Sequence, residues 1–229
     1  MSNQLKVLIL GDGLLGSEIG KQTEWDYISR KKDGIDVLDF NTLIPYMDNF
    51  DTILNCIAFT KTYSEDKKSS WLINYKFVDE LVEYCNKTNK KLIHISTDYI
   101  YTNSISNATE EDVPAHLPTW YGYTKLLSDA HVQLKSKNFL ICRLSHKPNP
   151  FPYDKAWSDI QTNCDYVDVI SSIVIKLILN GSKGVYNVGT EPKSIYDLAK
   201  KTSIVEPILK PLNVPSDTTM CLQKLQKIL

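Results

Sequence analysis

The stretch VLILGDGLLG at residues 7–16 decides the fold class. Residues 7–10 form an aliphatic run that is typical of a buried strand. The glycines that follow, Gly11, Gly13 and Gly16, fit the pattern G-x-G-x-x-G between that strand and an expected helix. In this context Gly11 allows a tight turn, Gly13 lets the backbone approach a pyrophosphate, and Gly16 allows close helix packing. The alternative is a strand-to-helix turn that is rich in glycine for structural reasons alone.

Beyond this motif, apolar runs and helix-spaced segments alternate as far as residue 144. Strands that alternate with helices predict parallel βαβ units and a doubly wound sheet. Nearly continuous apolar strands fit a sheet that is covered on both faces. Strands are expected at residues 7–10, 25–29, 35–38, 52–58, 91–96 and 139–144, and helices at residues 14–22, 71–88 and 119–134.

The pattern weakens in the last third of the chain, where prolines at 148, 150 and 152 favour an extended loop. Helices are expected at residues 167–179 and 194–200, with a short strand at residues 184–188. We therefore predict an α/β fold with a first domain over residues 1–145. A small lobe over residues 146–229 is expected to pack partly back on it.

The composition argues against several functional classes. The 229 residues are 42% hydrophobic and carry a formal net charge of −1, so no global field attracts nucleic acid or an anionic membrane. The longest apolar stretch, near residues 170–179, is too short to span a bilayer. Residues 1–6 are polar and do not resemble a signal peptide. Five unpaired cysteines and scattered histidines predict no metal site and a reduced, cytoplasmic compartment.

The residues after the expected second strand bear on cofactor choice. No clear ribose-binding acid follows the glycine motif at the usual distance. Instead, Ser29 is followed by Arg30 and Lys31, and a cation there can hold a 2′-phosphate, which favours NADP(H) over NAD(H). These cations are equally explained as solvated charges of a turn. Asp39 is a candidate contact for the adenine, or the cap of the next helix.

The most informative residues are a hydroxyl at a strand end and a tyrosine–lysine pair. Thr97 closes an expected strand, and Tyr121 and Lys125 are spaced i, i+4, so that both share one helix face. A free tyrosine has a pKa of about 10, which a neighbouring ammonium and an oxidised nicotinamide lower. Thr97 would supply a hydroxyl to the same carbonyl oxygen. A Y-x-x-x-K match alone usually marks a solvated helix face, but the glycine motif and strand end make chance a poor explanation.

These motifs resemble the short-chain dehydrogenase/reductase superfamily and, more closely, the dTDP-4-dehydrorhamnose reductase family. The match runs from about residue 7 to about residue 200. The resemblance implies a Rossmann-type doubly wound parallel sheet, a small C-terminal substrate-binding lobe, NAD(P)H, and reduction of a 4-keto sugar nucleotide. It rests on GDGLLG at 11–16, NCIAFT at 55–60, the helix of Asn74, STDYIY at 96–101, EEDVPAHLPTWYGYTK at 110–125 and YNVGT at 186–190.

The resemblance also implies roles for individual residues. Tyr121 is the expected acid, Lys125 its electrostatic partner, and Thr97 the group that polarises the carbonyl. Asn74 is expected to anchor water or backbone for proton relay. The expected cofactor contacts are Gly11, Asp12, Gly13, Leu14, Leu15, Gly16, Ser29, Arg30, Lys31, Asp39, Phe40, Cys56, Ile57, Ala58, Phe59, Asn74, Ser96, Tyr121 and Lys125.

The expected substrate contacts combine the family motif with one loop peculiar to this chain. Phe151 and Tyr153 are able to stack on a base or sugar, although an ordinary surface loop explains them about as well. Family members carry an arginine near the substrate at a strand end, where this chain has Arg143. The full set is Thr97, Asp98, Tyr99, Arg143, Phe151 and Tyr153.

The chain also departs from the family pattern. Its glycine loop is one residue shorter than the common G-x-x-G-x-x-G form, and residues 147–159 have no evident counterpart. Related 4,6-dehydratases have an acidic pair after the threonine, whereas only Asp98 follows Thr97 here, which favours simple reduction. Two alternatives stay open: a sugar-nucleotide epimerase, and a non-catalytic NADP-binding subunit like the regulatory subunit of methionine adenosyltransferase. A homodimer also stays open.

Overall fold

The aliphatic run at residues 7–10 forms the second strand from one edge of a six-stranded parallel sheet. The computed structural model describes residues 5–102, 106–112, 114 and 118–229; residues 113 and 115–117 of the family-like segment 110–125 lie outside this range, as do residues 1–4. In chain order the strands are β1 (Val7–Leu10), β2 (Asp26–Ile28), β3 (Thr52–Asn55), β4 (Lys91–Thr97), β5 (Phe139–Leu144), β6 (His146–Lys147), β7 (Lys155–Trp157), β8 (Asp165–Tyr166), β9 (Gly184–Val188) and β10 (Glu206–Ile208).

The central sheet has the order β2-β1-β3-β4-β5-β9, and all of its strand pairs are parallel. The chain passes from β1 outward to β2 and then returns to place β3 on the other side of β1. This reversal is the topological switch point at which doubly wound sheets bind ligands, beyond the carboxyl ends of the strands. The predicted Rossmann-type fold is therefore confirmed.

Helices cover both faces of this sheet, as its apolar strands require. One buried cluster packs the helices over residues 14–23 and 167–179 on one face, and a second packs those over residues 44–47, 77–87 and 120–135 on the other. The helices are α1 (Leu14–Thr23), α2 (Arg30–Asp33), α3 (Ile44–Met47), α4 (Lys67–Trp71), α5 (Phe77–Lys87), α6 (Trp120–Lys135), α7 (Val167–Leu179), α8 (Ile195–Ala199) and α9 (Gln223–Gln226), with 3₁₀ turns at Phe40–Thr42 and Asp98–Tyr101 and a π-helical segment at Leu72–Lys76.

The strand predicted at residues 35–38 is wrong, because this segment forms a loop and a turn. Local hydrogen bonds decide the conformation. Ser29 caps the short helix α2 by accepting from Lys32 N, and that helix ends at Gly34 in the left-handed region. The Asp36 carboxylate then accepts from Leu38 N at 3.0 Å, which folds the backbone into a turn. The strands predicted at 25–29 and 52–58 are also shorter in the structure, because β2 covers only Asp26–Ile28 and β3 ends at Asn55.

The last third of the chain contributes to the central sheet and also forms a small sheet and a buried cluster of its own. β9 completes the central sheet beside β5, and α7 packs against α1. In contrast, β7 pairs with β10 in a separate two-stranded sheet, and a small buried cluster forms around Phe151, Tyr166 and Leu198. The division into a first domain over residues 1–145 and a lobe over residues 146–229 stays a prediction.

Within the described ranges, none of the helices combines the length and apolar character needed to cross a membrane. The same part of the chain contains no group of three or more His, Cys, Asp or Glu side chains placed to hold a metal ion. All five cysteines are free thiols.

Candidate active site

The glycine loop has the backbone geometry that its sequence predicts. Gly11 has a φ of +98°, and a Cβ at this position would lie only 2.8 Å from Ile57 Cγ1. A Cβ on Gly16 would lie 2.1 Å from the Gly11 carbonyl oxygen, so the close approach of α1 to the loop requires glycine. Gly13 caps α1, and the space beside it is open. The loop is therefore a cradle at a helix N-terminus that fits a phosphate group.

Two cavities flank this loop at the carboxyl ends of the strands. One, of about 330 Å³, reaches Ser29 and Arg30 after β2. The other, of about 420 Å³, reaches Thr97 at the end of β4 and Tyr121 on α6. Both cavities are lined by the same four residues at the glycine loop and the end of β3, which makes them two halves of one cleft. The shared residues are Gly13, Cys56, Ile57 and Ala58.

The structure brings Thr97, Tyr121 and Lys125 to the wall of the larger cavity. Thr119 caps α6 by accepting from Gly122 N, which sets the first turn of the helix on which Tyr121 lies. Tyr121 lies on the same cavity wall as Thr97. One helical turn later, the Lys125 ammonium donates to the Ile95 carbonyl oxygen at 2.6 Å. The predicted spacing therefore places a hydroxyl pair and an ammonium on one side of the cleft.

Burial controls the ionisation of this group. It raises the pKa of Tyr121 to about 12, with Asp98 acting in the same direction and the Thr97 side chain opposing both. Burial thus raises the pKa that the nearby ammonium is expected to lower, and the phenol stays protonated at neutral pH. Burial also lowers the pKa of Lys125 to about 8, although Asp129 and Cys56 partly oppose this. The arrangement suits a proton donor better than a proton acceptor.

Asn74 lies in the π-helical segment and forms hydrogen bonds with the backbone of Phe59. Its Oδ1 accepts from Phe59 N at 2.7 Å, and its Nδ2 donates to the Phe59 carbonyl oxygen at 3.2 Å. Nδ2 also lies 3.2 Å from Thr124 Oγ1 on α6. Asn74 is fully buried and does not line the cleft. It therefore fixes the loop after β3 against the helix that carries Tyr121, and its expected part in proton relay stays a prediction.

Arg143 does not reach the cleft, contrary to the substrate contact expected for it. Its side chain is buried and turns toward α6, where Nη2 lies 2.8 Å from Asp129 Oδ1. Its Nη1 donates to the Tyr101 hydroxyl. A buried guanidinium needs a charge partner and acceptors for its donors, and Asp129 and Tyr101 supply them. In this structure Arg143 is a packing and charge anchor.

Asp98 and Tyr99 lie between the cleft and the last third of the chain. Asp98 is buried and accepts hydrogen bonds from Thr97 Oγ1 at 3.2 Å, Thr162 Oγ1 at 3.3 Å and Thr218 Oγ1 at 2.9 Å. Burial raises the pKa of this carboxyl to about 6. The Tyr99 ring meets the Tyr121 ring edge-on, with centroids 6.5 Å apart. Asp98 thus ties the strand end that carries Thr97 to two distant segments.

Phe151 and Tyr153 line a separate cavity of about 430 Å³ together with Lys147 and Trp157. Phe151 is buried in the small C-terminal cluster, whereas Tyr153 is 63% exposed. A narrow cavity lined by Lys147, Trp157 and Tyr99 lies between this pocket and the cleft. Of the predicted pair, only Tyr153 is exposed enough to stack on a ligand, because Phe151 would first have to leave the core.

Five predicted cofactor residues do not line the cleft as the structure shapes it, namely Gly16, Lys31, Asp39, Phe40 and Asn74. Phe40 packs its ring against Phe77 and Tyr84 instead. Other residues that line the cleft are not predicted from the sequence; they lie in the segment 35–38, in the π-helical segment, and in or after strands β3, β4 and β5. They are Ile35, Asp36, Val37, Leu38, Thr60, Ile73, Ile95, Leu144, Ser145 and His146. The remaining predicted contacts Asp12, Leu14, Leu15, Phe59 and Ser96 do line the cleft.

Comparison with known proteins gives two kinds of likeness. The spore coat polysaccharide biosynthesis protein SpsK of Bacillus subtilis (strain 168) is 28% identical over 148 residues, which cover 61% of this chain and 52% of SpsK. The chain thus spans about half the length of this curated relative. A dTDP-4-dehydrorhamnose reductase from Bacillus anthracis str. Ames, solved with NADP, has a TM-score of 0.81 at 19% identity and covers 99% of this chain and 93% of its own.

A UDP-glucuronic acid 4-epimerase variant from Bacillus cereus, solved with a fluorinated UDP-sugar and NAD, is also similar. Its TM-score is 0.79 at 19% identity, over 98% of this chain and 93% of its own. These two structural likenesses show the fold. The family model described as the RmlD substrate binding domain matches residues 5–146, which is more than half of the chain and includes the glycine loop, Thr97, Tyr121 and Lys125. The chain belongs to the RmlD family, as its motifs predict.

Proposed function

We propose that this chain is a nicotinamide-dependent reductase that acts on the 4-keto group of a nucleotide-linked deoxysugar. One observation carries the proposal: Thr97, Tyr121 and Lys125 line the same cavity as Gly13 of the glycine loop. A dinucleotide bound at the loop and a carbonyl at Tyr121 would therefore meet within one cleft. The similar proteins support this reading, since one is a reductase solved with NADP and another acts in polysaccharide biosynthesis.

The residues of the cleft fit a dinucleotide. The open space beside Gly13 and the N-terminus of α1 would hold the pyrophosphate. Ser29 and Arg30 line the half of the cleft beyond β2, where they would hold the adenosine end. Lys125, Tyr121 and Ser96 line the other half, beside the place of the nicotinamide. When bound, the reduced nicotinamide supplies a hydride to the keto carbon.

We propose that the protein's own part in the reaction is to supply the proton. Tyr121 is protonated at neutral pH because burial raises its pKa to about 12, and it lines the cavity together with Thr97. It would donate that proton to the carbonyl oxygen as the oxygen gains negative charge. The Lys125 ammonium lies on the same side of the cleft and would stabilise the Tyr121 phenolate. A proton from solvent would then replace the proton that Tyr121 has donated. Asn74 would keep the wall of the cleft in place.

The preference for NADP(H) rests on Arg30. Its side chain is exposed and lines the cavity after β2, and within the described chain it forms no ion pair. A 2′-phosphate would give it a charge-assisted partner. Asp36 lines the same cavity and opposes this preference, because a carboxylate there is suited to a free ribose. We propose that the guanidinium dominates, since it can bond the phosphate with two N–H groups.

The test is turnover with purified protein. NADPH and a panel of 4-keto sugar nucleotides should give loss of the reduced-nicotinamide absorbance and one reduced sugar per NADPH consumed. Tyr121→Phe is the matched control, since it keeps the ring and removes the proton. Interconversion of sugar epimers without net NADPH consumption would identify an epimerase instead. Binding of NADPH without turnover, together with a co-purifying partner protein, would identify the regulatory-subunit alternative.

A further inference from the structure

His94 is a buried histidine that the reaction proposed above does not use. It lies on β4 with its ring between the end of β3 and helix α6. Its Nδ1 lies 3.5 Å from Asn55 Nδ2. Its Nε2 lies 3.4 Å from Lys125 Nζ and 3.3 Å from Ser128 Oγ. The ring therefore touches the ammonium of the candidate active site from inside the protein.

Asn55 determines which nitrogen of this ring carries the proton. The backbone N–H of Ile57 donates to Asn55 Oδ1 at 3.0 Å, so the amide oxygen faces Ile57 and the amide nitrogen faces His94. An amide nitrogen only donates, and His94 Nδ1 must therefore accept. In a neutral imidazole the proton then lies on Nε2. The ring is neutral because burial and Lys125 lower its pKa well below the usual value.

Ser128 is consistent with this tautomer. Its hydroxyl donates to the Lys125 carbonyl oxygen at 3.0 Å, so its own proton is already used. The oxygen keeps a lone pair that can accept from His94 Nε2–H at 3.3 Å. The hydrogen bonds thus form a chain with one direction: Asn55 donates to His94, His94 donates to Ser128, and Ser128 donates to the backbone of α6.

This direction has a consequence for Lys125. The ammonium donates one proton to the Ile95 carbonyl oxygen at 2.6 Å and meets an N–H, not a lone pair, at His94. We propose that His94 is a positioning residue for Lys125: its Nε2–H offers the ammonium no acceptor and so directs the remaining ammonium protons toward the cleft. The part of this inference that concerns catalysis rests on the proposed function; the part that concerns the tautomer and Lys125 does not.

Charged and titratable groups around Lys125 also affect its pKa. Asp129 on α6 and Cys56 after β3 favour the charged form, and burial opposes it more strongly. An N–H dipole aimed at the ammonium acts in the same direction as burial. A lone pair at the same place would act in the opposite direction. The tautomer of His94 is therefore expected to move the titration of Lys125.

The first experiment reads the tautomer in the free protein. Long-range ¹H–¹⁵N correlation spectra of histidine-labelled protein distinguish Nε2–H from Nδ1–H. We expect His94 to be the Nε2–H tautomer and to remain neutral from pH 6 to pH 9. The Nδ1–H tautomer in the wild-type chain would overturn the inference, and no variant has to fold for this result to be obtained.

The second experiment reverses the tautomer. Asn55→Asp places a carboxylate where it accepts from Nδ1–H, so that Nε2 becomes an acceptor for Lys125. The titration midpoint of Lys125, followed by its ¹³Cε chemical shift, should then rise by about one pH unit. The same substitution in a His94→Phe background is the matched control, because it adds the negative charge where no imidazole is present to change its tautomer. Equal rises in both backgrounds would show a pure charge effect and overturn the inference.

Kinetics separate this inference from the proposed function. If the chain reduces a keto sugar, the basic limb of the pH profile of kcat should move with the Lys125 midpoint in Asn55→Asp. A limb that stays fixed while the midpoint moves would overturn the positioning role. A chain that shows the expected tautomer and midpoints but reduces no keto sugar supports the coupling between His94 and Lys125 and contradicts only the proposed function.

Discussion

Arg143 and Asp129 form a buried ion pair with two parallel contacts. Arg143 Nε lies 3.1 Å from Asp129 Oδ2, and Nη2 lies 2.8 Å from Oδ1. Arg143 is on β5 and Asp129 is on α6, one turn beyond Lys125. The pair therefore holds the helix that carries Tyr121 and Lys125 against the sheet.

Loss of this arginine should cost stability and leave substrate recognition alone. Arg143→Met leaves the Asp129 carboxylate buried without its charge partner, which typically destabilises a protein by about 3–5 kcal/mol. Urea denaturation should show this decrease in the free energy of unfolding. The double variant Arg143→Met with Asp129→Leu removes both charges and should recover most of the loss. A stable Arg143→Met variant with only a raised KM for the sugar nucleotide would instead restore the substrate role suggested by the family resemblance.

Asp98 should make stability depend on pH. Its pKa is raised from 3.8 to about 6 in the folded protein because the carboxyl is buried. Between these values the folded state binds more protons than the unfolded state, so this group's contribution to stability falls as the pH rises through that window. The full loss corresponds to about 3 kcal/mol.

Asp98→Asn keeps the size of the side chain and cannot ionise. The free energy of unfolding of the wild type relative to this variant should therefore decrease from pH 4 to pH 7.5. Urea titrations at both pH values measure the difference. A difference between the two proteins that does not change with pH would contradict a raised pKa at Asp98.

The exposed ring of Tyr153 is the part of the C-terminal pocket that can bind a ligand. Tyr153→Ala should raise KM for the sugar nucleotide several-fold and leave the Kd for NADPH unchanged, since this pocket is separate from the glycine-loop cleft. Stacking of a base on an aromatic ring contributes about 1–3 kcal/mol. Phe151→Ala is a poor probe because it empties part of a buried cluster. Unchanged sugar kinetics in Tyr153→Ala would remove this loop from the site.

Arg30 should select NADPH over NADH. A lost charge-assisted hydrogen bond costs about 1.5–3 kcal/mol, so Arg30→Ala should weaken NADPH binding roughly ten- to a hundredfold. Isothermal titration with NADPH and NADH measures this, and NADH binding should stay unchanged. Lys32→Ala is the control, since Lys32 donates to the Tyr27 carbonyl oxygen and does not line the cleft. Equal affinities of the wild type for both cofactors would reject the preference.

The sequence predicts those parts of the fold that local pattern determines. The aliphatic run before Gly11, the helix after it and the i, i+4 spacing of Tyr121 and Lys125 depend on neighbours in sequence, and the structure agrees with them. The segment 35–38 shows the limit of this reasoning. Its apolar residues favour a strand, but the Asp36 carboxylate and the end of α2 fold it into a turn that lines the cleft.

The roles that the sequence misassigns depend on contacts across the fold. Arg143 follows the expected pattern of a strand end, but the direction of its side chain is set by Asp129 on another element. Asp98 is bound by Thr162 and Thr218, which lie 64 and 120 positions away. No spacing within the motif around Thr97 indicates those partners. The pKa of Tyr121 likewise depends on burial, which a helical i, i+4 pair does not reveal.

Tyr121→Phe should abolish most turnover and leave the protein otherwise intact. The substitution removes one oxygen from a side chain that lines the cavity together with Thr97 and keeps the ring against Tyr99. General acid catalysis typically contributes 10²–10⁴-fold, so kcat should fall by at least about a hundredfold. Thr97→Val is the graded comparison: it removes one hydrogen bond and no proton donor, and its effect on kcat should be smaller. NADPH affinity and urea stability should stay close to the wild type in Tyr121→Phe, because its ring packing is kept. If this variant kept nearly full kcat on a sugar that the wild type reduces, another group would have to supply the proton, and the role proposed for Tyr121 would be wrong.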